Sequence, residues 1–92
     1  MSPPTVRRRI RAHGRVQGVF FRDSVRREAR SRGVAGFASN EPDGTVAAVF
    51  EGAPDAVDAL VALCRAGPGH AEVERLDVTE EEPEGLSGFS VS

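Results

Sequence analysis

Two short stretches carry the side chains with the means to do chemistry in this 92-residue chain. The first is His13 to Asp23, HGRVQGVFFRD. Its centre, Gly14–Phe20, separates an alternating segment from a helical one, and Arg22 follows in the first turn of that helix. A helix entrance disfavours positive charge. Arg22 is therefore either an ordinary surface residue or a group that awaits something negative. A short glycine-bearing loop can aim successive backbone N–H groups into one concavity. The first N–H groups of the helix have no intrahelical partner and add to the same field. The product is a place for a phosphate-like anion, and an arginine fork can grip two of its oxygens at once. Each hydrogen bond to a charged partner contributes about 1.5–3 kcal/mol net, against roughly a few tenths of a kcal/mol lost at the dipole. The loop is neither a Walker A sequence nor the G-x-G-x-x-G of dinucleotide folds. On spacing alone, a plain strand-to-helix turn with Arg22 in water stays open.

The second stretch is Gly36 to Gly52, GFASNEPDGTVAAVFEG. Asn40 closes a strand just before the turn EPDG. Its amide offers a donor and an acceptor, although asparagine also commonly starts turns. If the first strand lies beside the second or third, this end of the sheet approaches the loop. Of the two histidines, His13 falls on the polar side of the first strand and His70 follows a loop; neither is given a chemical role. Cys64 is the single cysteine, which leaves no internal disulfide and no cysteine-cluster metal site.

The elements that must hold these groups follow from periodicity. Residues 1–5 read as a disordered end and 6–92 as one domain. Val6–His13 alternates, with Val6, Arg8, Ile10 and Ala12 on the covered face and Arg7, Arg9, Arg11 and His13 on the other. Phe21, Val25 and Ala29 make the buried stripe of a helix ending near Arg32, with Gly33 as its C′ residue. Val34–Asn40 and Thr45–Glu51 form a hairpin around EPDG. Pro54 opens a second helix with Val57, Leu60, Val61 and Cys64 inward, and GPG at 67–69 stops it. Ala71–Thr79 is a fourth strand in which Val73 is out of phase with Leu76 and Val78, the signature of a bulge. EEEPEG at 80–85 reads as a solvated acidic link, and GFSVS at 88–92 as a short final strand on Phe89 and Val91. The order β-α-β-β-α-β, with a short extra strand, is that of the α+β ferredoxin-like sandwich: one antiparallel sheet with two helices on one face.

Composition narrows the class. All 12 basic residues are arginine, and ten of them lie in residues 1–32 beside only Asp23 and Glu28. A basic segment can mark a nucleic-acid surface, but no aromatic stacking pattern accompanies it. Acidic and basic elements that sit side by side account for it better. No apolar run reaches the roughly 18 residues of a membrane span. No apolar region follows the charged N-terminus, so no secretory signal is expected, and a cytoplasmic location is.

Together the two stretches resemble the acylphosphatase family. Gly14-Arg15-Val16-Gln17-Gly18-Val19-Phe20-Phe21-Arg22 matches the first family signature throughout, and Gly36, Phe37, Asn40, Gly44, Val46 and Gly52 fill the second. GPGHAEVERLDV and GFSVS are similar to the family's C-terminal segment, so the resemblance covers about residues 6–92. Ala12 stands where an aliphatic residue is usual, and Ser39 where a basic residue or glutamine is usual. The resemblance implies hydrolysis of the carboxyl-phosphate bond of acyl phosphates by in-line attack of water. Arg22 would hold the phosphoryl group with the backbone amides of Arg15, Val16, Gln17, Gly18, Val19 and Phe20, and Asn40 would position the water. It implies the ferredoxin-like fold and no metal or cofactor. The expected partners are a small acyl phosphate and inorganic phosphate as product inhibitor, with a monomeric state and neither membrane nor nucleic acid. The alternative is a non-catalytic ferredoxin-like binding or regulatory module for a phosphate ligand or RNA.

Overall fold

The computed structural model describes residues 4–92. The elements are β1 (Val6–Arg15), α1 (Phe21–Ser31), β2 (Ala35–Asn40), β3 (Val46–Gly52), α2 (Pro54–Ala66), β4 (Glu72–Glu81) and β5 (Phe89–Val91). Pro4 and Thr5 are outside regular structure; residues 1–3 of the expected disordered end lie outside the described residues.

The strands form one sheet in the order β4-β1-β3-β2-β5. β1 is an interior strand, antiparallel to both β3 and β4. The sheet is mixed, not wholly antiparallel as expected, because β5 runs parallel to β2 through Gly36↔Phe89 and Ala38↔Val91. Both helices pack on one face, α1 over β2 and β5, α2 over β1, β3 and β4. Between sheet and helices lie Ile10, Ala12, Phe21, Val25, Val46, Ala48, Phe50, Val57, Leu60 and Cys64.

The local reasons are those of the sequence. α1 buries Phe21, Val25 and Ala29, one residue per turn along a stripe. Its end is a Schellman-type closure: Val34 N–H returns to the Ala29 carbonyl (2.8 Å) across Gly33 at φ 67°. In β4 the register against β1 jumps between His13↔Arg75 and Gly14↔Val73, leaving Glu74 as the extra residue. That bulge restores Val73 to the covered face with Leu76, and both pack against the core.

The face away from the helices departs from expectation. Arg7, assigned by alternation to solvent, is 3% exposed. Its guanidinium reaches Glu51 at 2.6 Å and Glu81 at 2.8 Å. Residues 80–85 are not simply a solvated link. β4 runs on through Glu81, which also accepts from Arg9 at 2.7 Å. The segment beyond it crosses the sheet, where Glu84, Gly85 and Leu86 N–H groups donate to the Glu51 carboxylate at 3.0, 3.1 and 3.2 Å. Arg8 pairs with Glu80 and Arg11 with Asp43. Arg7, Arg8, Arg9 and Arg11 of the first strand thus each face an acidic neighbour.

Candidate functional site

The loop between β1 and α1 is fixed at both ends. Arg15 closes β1 opposite Glu72, so the loop proper starts at Val16, which is 1% exposed. Phe21, also 1% exposed, anchors the far end. Between these two apolar pins the backbone has no regular structure. Among the described residues, none of the five amides from Gln17 to Phe21 donates a hydrogen bond, and the first helical N–H with a partner is Ser24, to the Phe20 carbonyl (3.1 Å). Phe20 itself is left-handed, with φ 64° and ψ 21°, and its side chain does not cap the helix.

A cavity of about 350 Å³ opens at this loop, lined by Val16, Gly18, Phe20, Phe21, Arg22, Asp23, Arg26, Val91 and Ser92. Arg22 therefore stands at the cavity, on the first turn of α1. Its Nη1 donates to the Ser92 carbonyl. Ser92 N–H in turn donates to the Ala38 carbonyl of β2 at 3.0 Å. The segment after β5 thus links the guanidinium to the strand that carries Asn40.

Asn40 pairs with Val46 at the end of β2. Strand alternation puts it on the helix-bearing face with Gly36 and Ala38. It is exposed, and its amide makes no hydrogen bond among the described residues. It does not line the cavity that holds Arg22. What brings the two stretches together is a side chain that sequence reasoning did not single out. Gln17 Nε2 donates to the carbonyls of Glu41 and Thr45, both at 2.8 Å, and so ties the loop to the turn beside Asn40. Gln17 is the one polar side chain in the run VQGV, and that contrast was the signal available. Ser39, on the opposite face, donates to the Glu41 carboxylate at 3.5 Å.

The remaining candidates are otherwise engaged. His13 meets Asp77 at 2.9 Å and Arg75 at 3.2 Å on the helix-free face, and its hydrogen bond is the main cause that holds the Asp77 carboxyl below its ordinary value. His70 supports the loop from outside: its N–H donates to the Val19 carbonyl at 3.1 Å, and its ring stands edge-on to Phe20. Cys64 is buried in the core and burial pushes its thiol up to about 12, which makes it a poor nucleophile. Among the described residues no group of three or more His, Cys, Asp or Glu is placed to hold a metal ion, and no helix is long and apolar enough to cross a membrane.

The family model that matches the chain is Acylphosphatase, over residues 8–91. An acylphosphatase of Thermococcus kodakarensis is 56% identical over 86 residues, spanning 94% of each chain. Among solved structures, acylphosphatase from Bacillus subtilis superposes with TM-score 0.89 at 38% identity, covering 95% of this chain and 98% of that one. Full-length HypF, in its phosphate- and nucleotide-bound form, superposes with TM-score 0.91 at 25% identity, over all of this chain and 12% of its own. A ferredoxin-like sheet with a glycine-bearing loop at a helix entrance defines the class of fold. Within that class the chain belongs to the acylphosphatase family, whose enzymes are acid anhydride hydrolases acting on small acyl phosphates.

Proposed function

We propose that the β1–α1 loop and Arg22 bind the phosphoryl group of an acyl phosphate, and that Asn40 orients the attacking water. The observation that carries this reading is the run of unpartnered amides, Gln17 to Phe21, directly ahead of the Arg22 guanidinium. Amides between Arg15 and Phe20 and the helix entrance supply fixed positive dipoles, and Arg22 supplies full charge. Its contact with Ser92 engages one donor and leaves the rest of the fork for phosphate oxygens. The Gln17 tether would hold the Asn40 end of β2 against the loop, so that water and phosphorus meet in a fixed geometry.

The chemistry asks little more of the protein. Water oxygen bonds to phosphorus as the bond to the acyl oxygen breaks, and the carboxylate leaves with that electron pair. A carboxylate is a good leaving group, so no strong general acid is needed. The water proton passes to a phosphoryl oxygen. Positioning and charge stabilisation then dominate, and arginine with asparagine suits that task. The reading requires no metal, and phosphate, as product, would compete for the same cradle.

The test is hydrolysis of benzoyl phosphate by purified protein with chelator present. Turnover there, inhibited competitively by inorganic phosphate, is the expected result. Arg22→Ala should nearly abolish it with the fold intact, and Arg22→Lys should not restore it, because the planar fork is lost. Turnover that requires added metal, or substantial activity in the lysine variant, would overturn the scheme.

A further inference from the structure

We propose that the Phe20 ring is the acyl-group contact of this site, and that the enzyme prefers acyl phosphates with an aromatic or other apolar acyl group. The inference rests on the phosphate-binding reading above. Phe20 is the sole non-glycine residue with positive φ among the described residues. For a bulky side chain that conformation is strained. Phe20 also holds the N-cap position of α1, where Ser, Thr, Asp or Asn would bond a free helix amide, and it makes no such bond. Phe20 is 67% exposed, whereas its neighbour Phe21 is 1% exposed. Backbone geometry, helix capping and core packing all gain nothing from a phenyl group at this position.

The cavity does. Phe20 lines it together with Arg22, and Val16 and Val91 add apolar wall. Its own N–H belongs to the unpartnered run proposed to hold phosphate, so the ring starts within one residue of the bound phosphorus. In an in-line displacement the acyl group departs on the side away from the water, and it needs a surface there. The turn at 67–70 steadies the ring from its other side. His70 stands edge-on to it at a centroid distance of 6.5 Å. Gly69 packs so closely that a Cβ there would lie 2.5 Å from the Val19 carbonyl oxygen and 3.4 Å from Phe20 Cβ. An aromatic platform, propped on one side and open to the cavity on the other, fits a flat apolar acyl group by stacking and burial.

The experiment compares kcat/KM for benzoyl and acetyl phosphate. The variants are Phe20→Gly and Phe20→Asn, both of which accept the left-handed backbone. The benzoyl-to-acetyl ratio is expected to fall about tenfold or more in both variants, in the range one apolar contact can discriminate. The effect should lie mainly in KM for benzoyl phosphate, and Phe20→Tyr should keep the ratio. Any loss common to both substrates reports on the loop and cancels in the ratio. A ratio unchanged within twofold in both variants, or one that Phe20→Tyr also loses, would overturn the proposal. If the unaltered enzyme hydrolyses neither substrate, the phosphate-binding reading itself fails.

Discussion

Replacing Glu51 by glutamine changes one atom's chemistry at the most heavily bonded carboxylate of the fold. Oε1 accepts the Gly85 and Leu86 amides, and Oε2 accepts the Glu84 amide and Arg7 Nη1. A glutamine amide offers one acceptor and one donor end, so in either orientation an NH2 faces two donors. Arg7 would not be stranded, because Glu81 stays at 2.8 Å. Removing one member of a buried pair costs about 3–5 kcal/mol. Here both side chains are 3% exposed, but only a single strap of chain separates them from water. The effective dielectric then lies nearer 20 than 4, which places the cost near the bottom of that range, about 3 kcal/mol. At roughly 4–8 °C per kcal/mol for a domain of this size, Tm should fall by about 15 °C, read by far-UV circular dichroism at pH 7. A fall of less than about 4 °C would refute the reasoning. The pH dependence gives an independent check. Burial tends to raise the Glu51 carboxyl, but the Glu84 amide, Arg7 and the Leu86 and Gly85 amides outweigh it, so its pKa lies below 4.5. A depressed folded-state pKa adds stability above the unfolded value and loses it as pH falls through the folded one. The gap between wild type and Glu51→Gln should therefore be full above pH 4.5 and close in acid. Glu81, held at about 2 by Arg9 and Arg7, loses its own contribution over the same acid range, but it is present in both proteins and cancels in the gap.

Three further outcomes are expected. Asn40→Ala should lower kcat by about a hundredfold or more, by analogy with losing one oriented polar group, in steady-state assays on benzoyl phosphate; an effect confined to KM would remove the water-positioning role. Gly36→Ala should cost about 3 kcal/mol or more, seen as a loss of the cooperative thermal transition near its normal temperature. A Cβ at φ 143° would lie 1.8 Å from the Val49 carbonyl oxygen, and backbone cannot give way there. Cys64, buried and with its thiol pushed up to about 12, should react with a thiol reagent only at the rate of unfolding, and fast labelling under native conditions would contradict its place in the core.

The element order was legible because each helix and strand carries its own period. Phe21, Val25 and Ala29 announce α1, and even the bulge in β4 showed as a phase slip between Val73 and Leu76. The direction of β5 was not legible. Three residues contain no information on pairing, and its parallel run follows from the strap that crosses the sheet first. Arg7 failed for the same reason. Alternation states which face a side chain is on, and only residues 84–86 decide that this face is covered. At the site, Arg22 was marked by its odd placement at a helix entrance. The Gln17 tether required two carbonyls, of Glu41 and Thr45, that no local pattern brings to the loop.

The interior place of β1, between β4 and β3, also governs how the molecule is assembled in time. Its ladder to β3 joins residues such as Ala12 and Val46, and its ladder to β4 joins Arg7 to Glu81, 74 positions apart. No hairpin can form either pairing locally. The entropy of closing these long loops must be spent before the contacts that reward it exist. Folding should accordingly be slow for so small a domain, in the millisecond-to-second range typical of non-local topologies. Until residues 72–81 arrive, one edge of β1 stays unpaired and open to other chains. The arrangement that carries the loop on an interior strand thus leaves the nascent chain a long exposed interval.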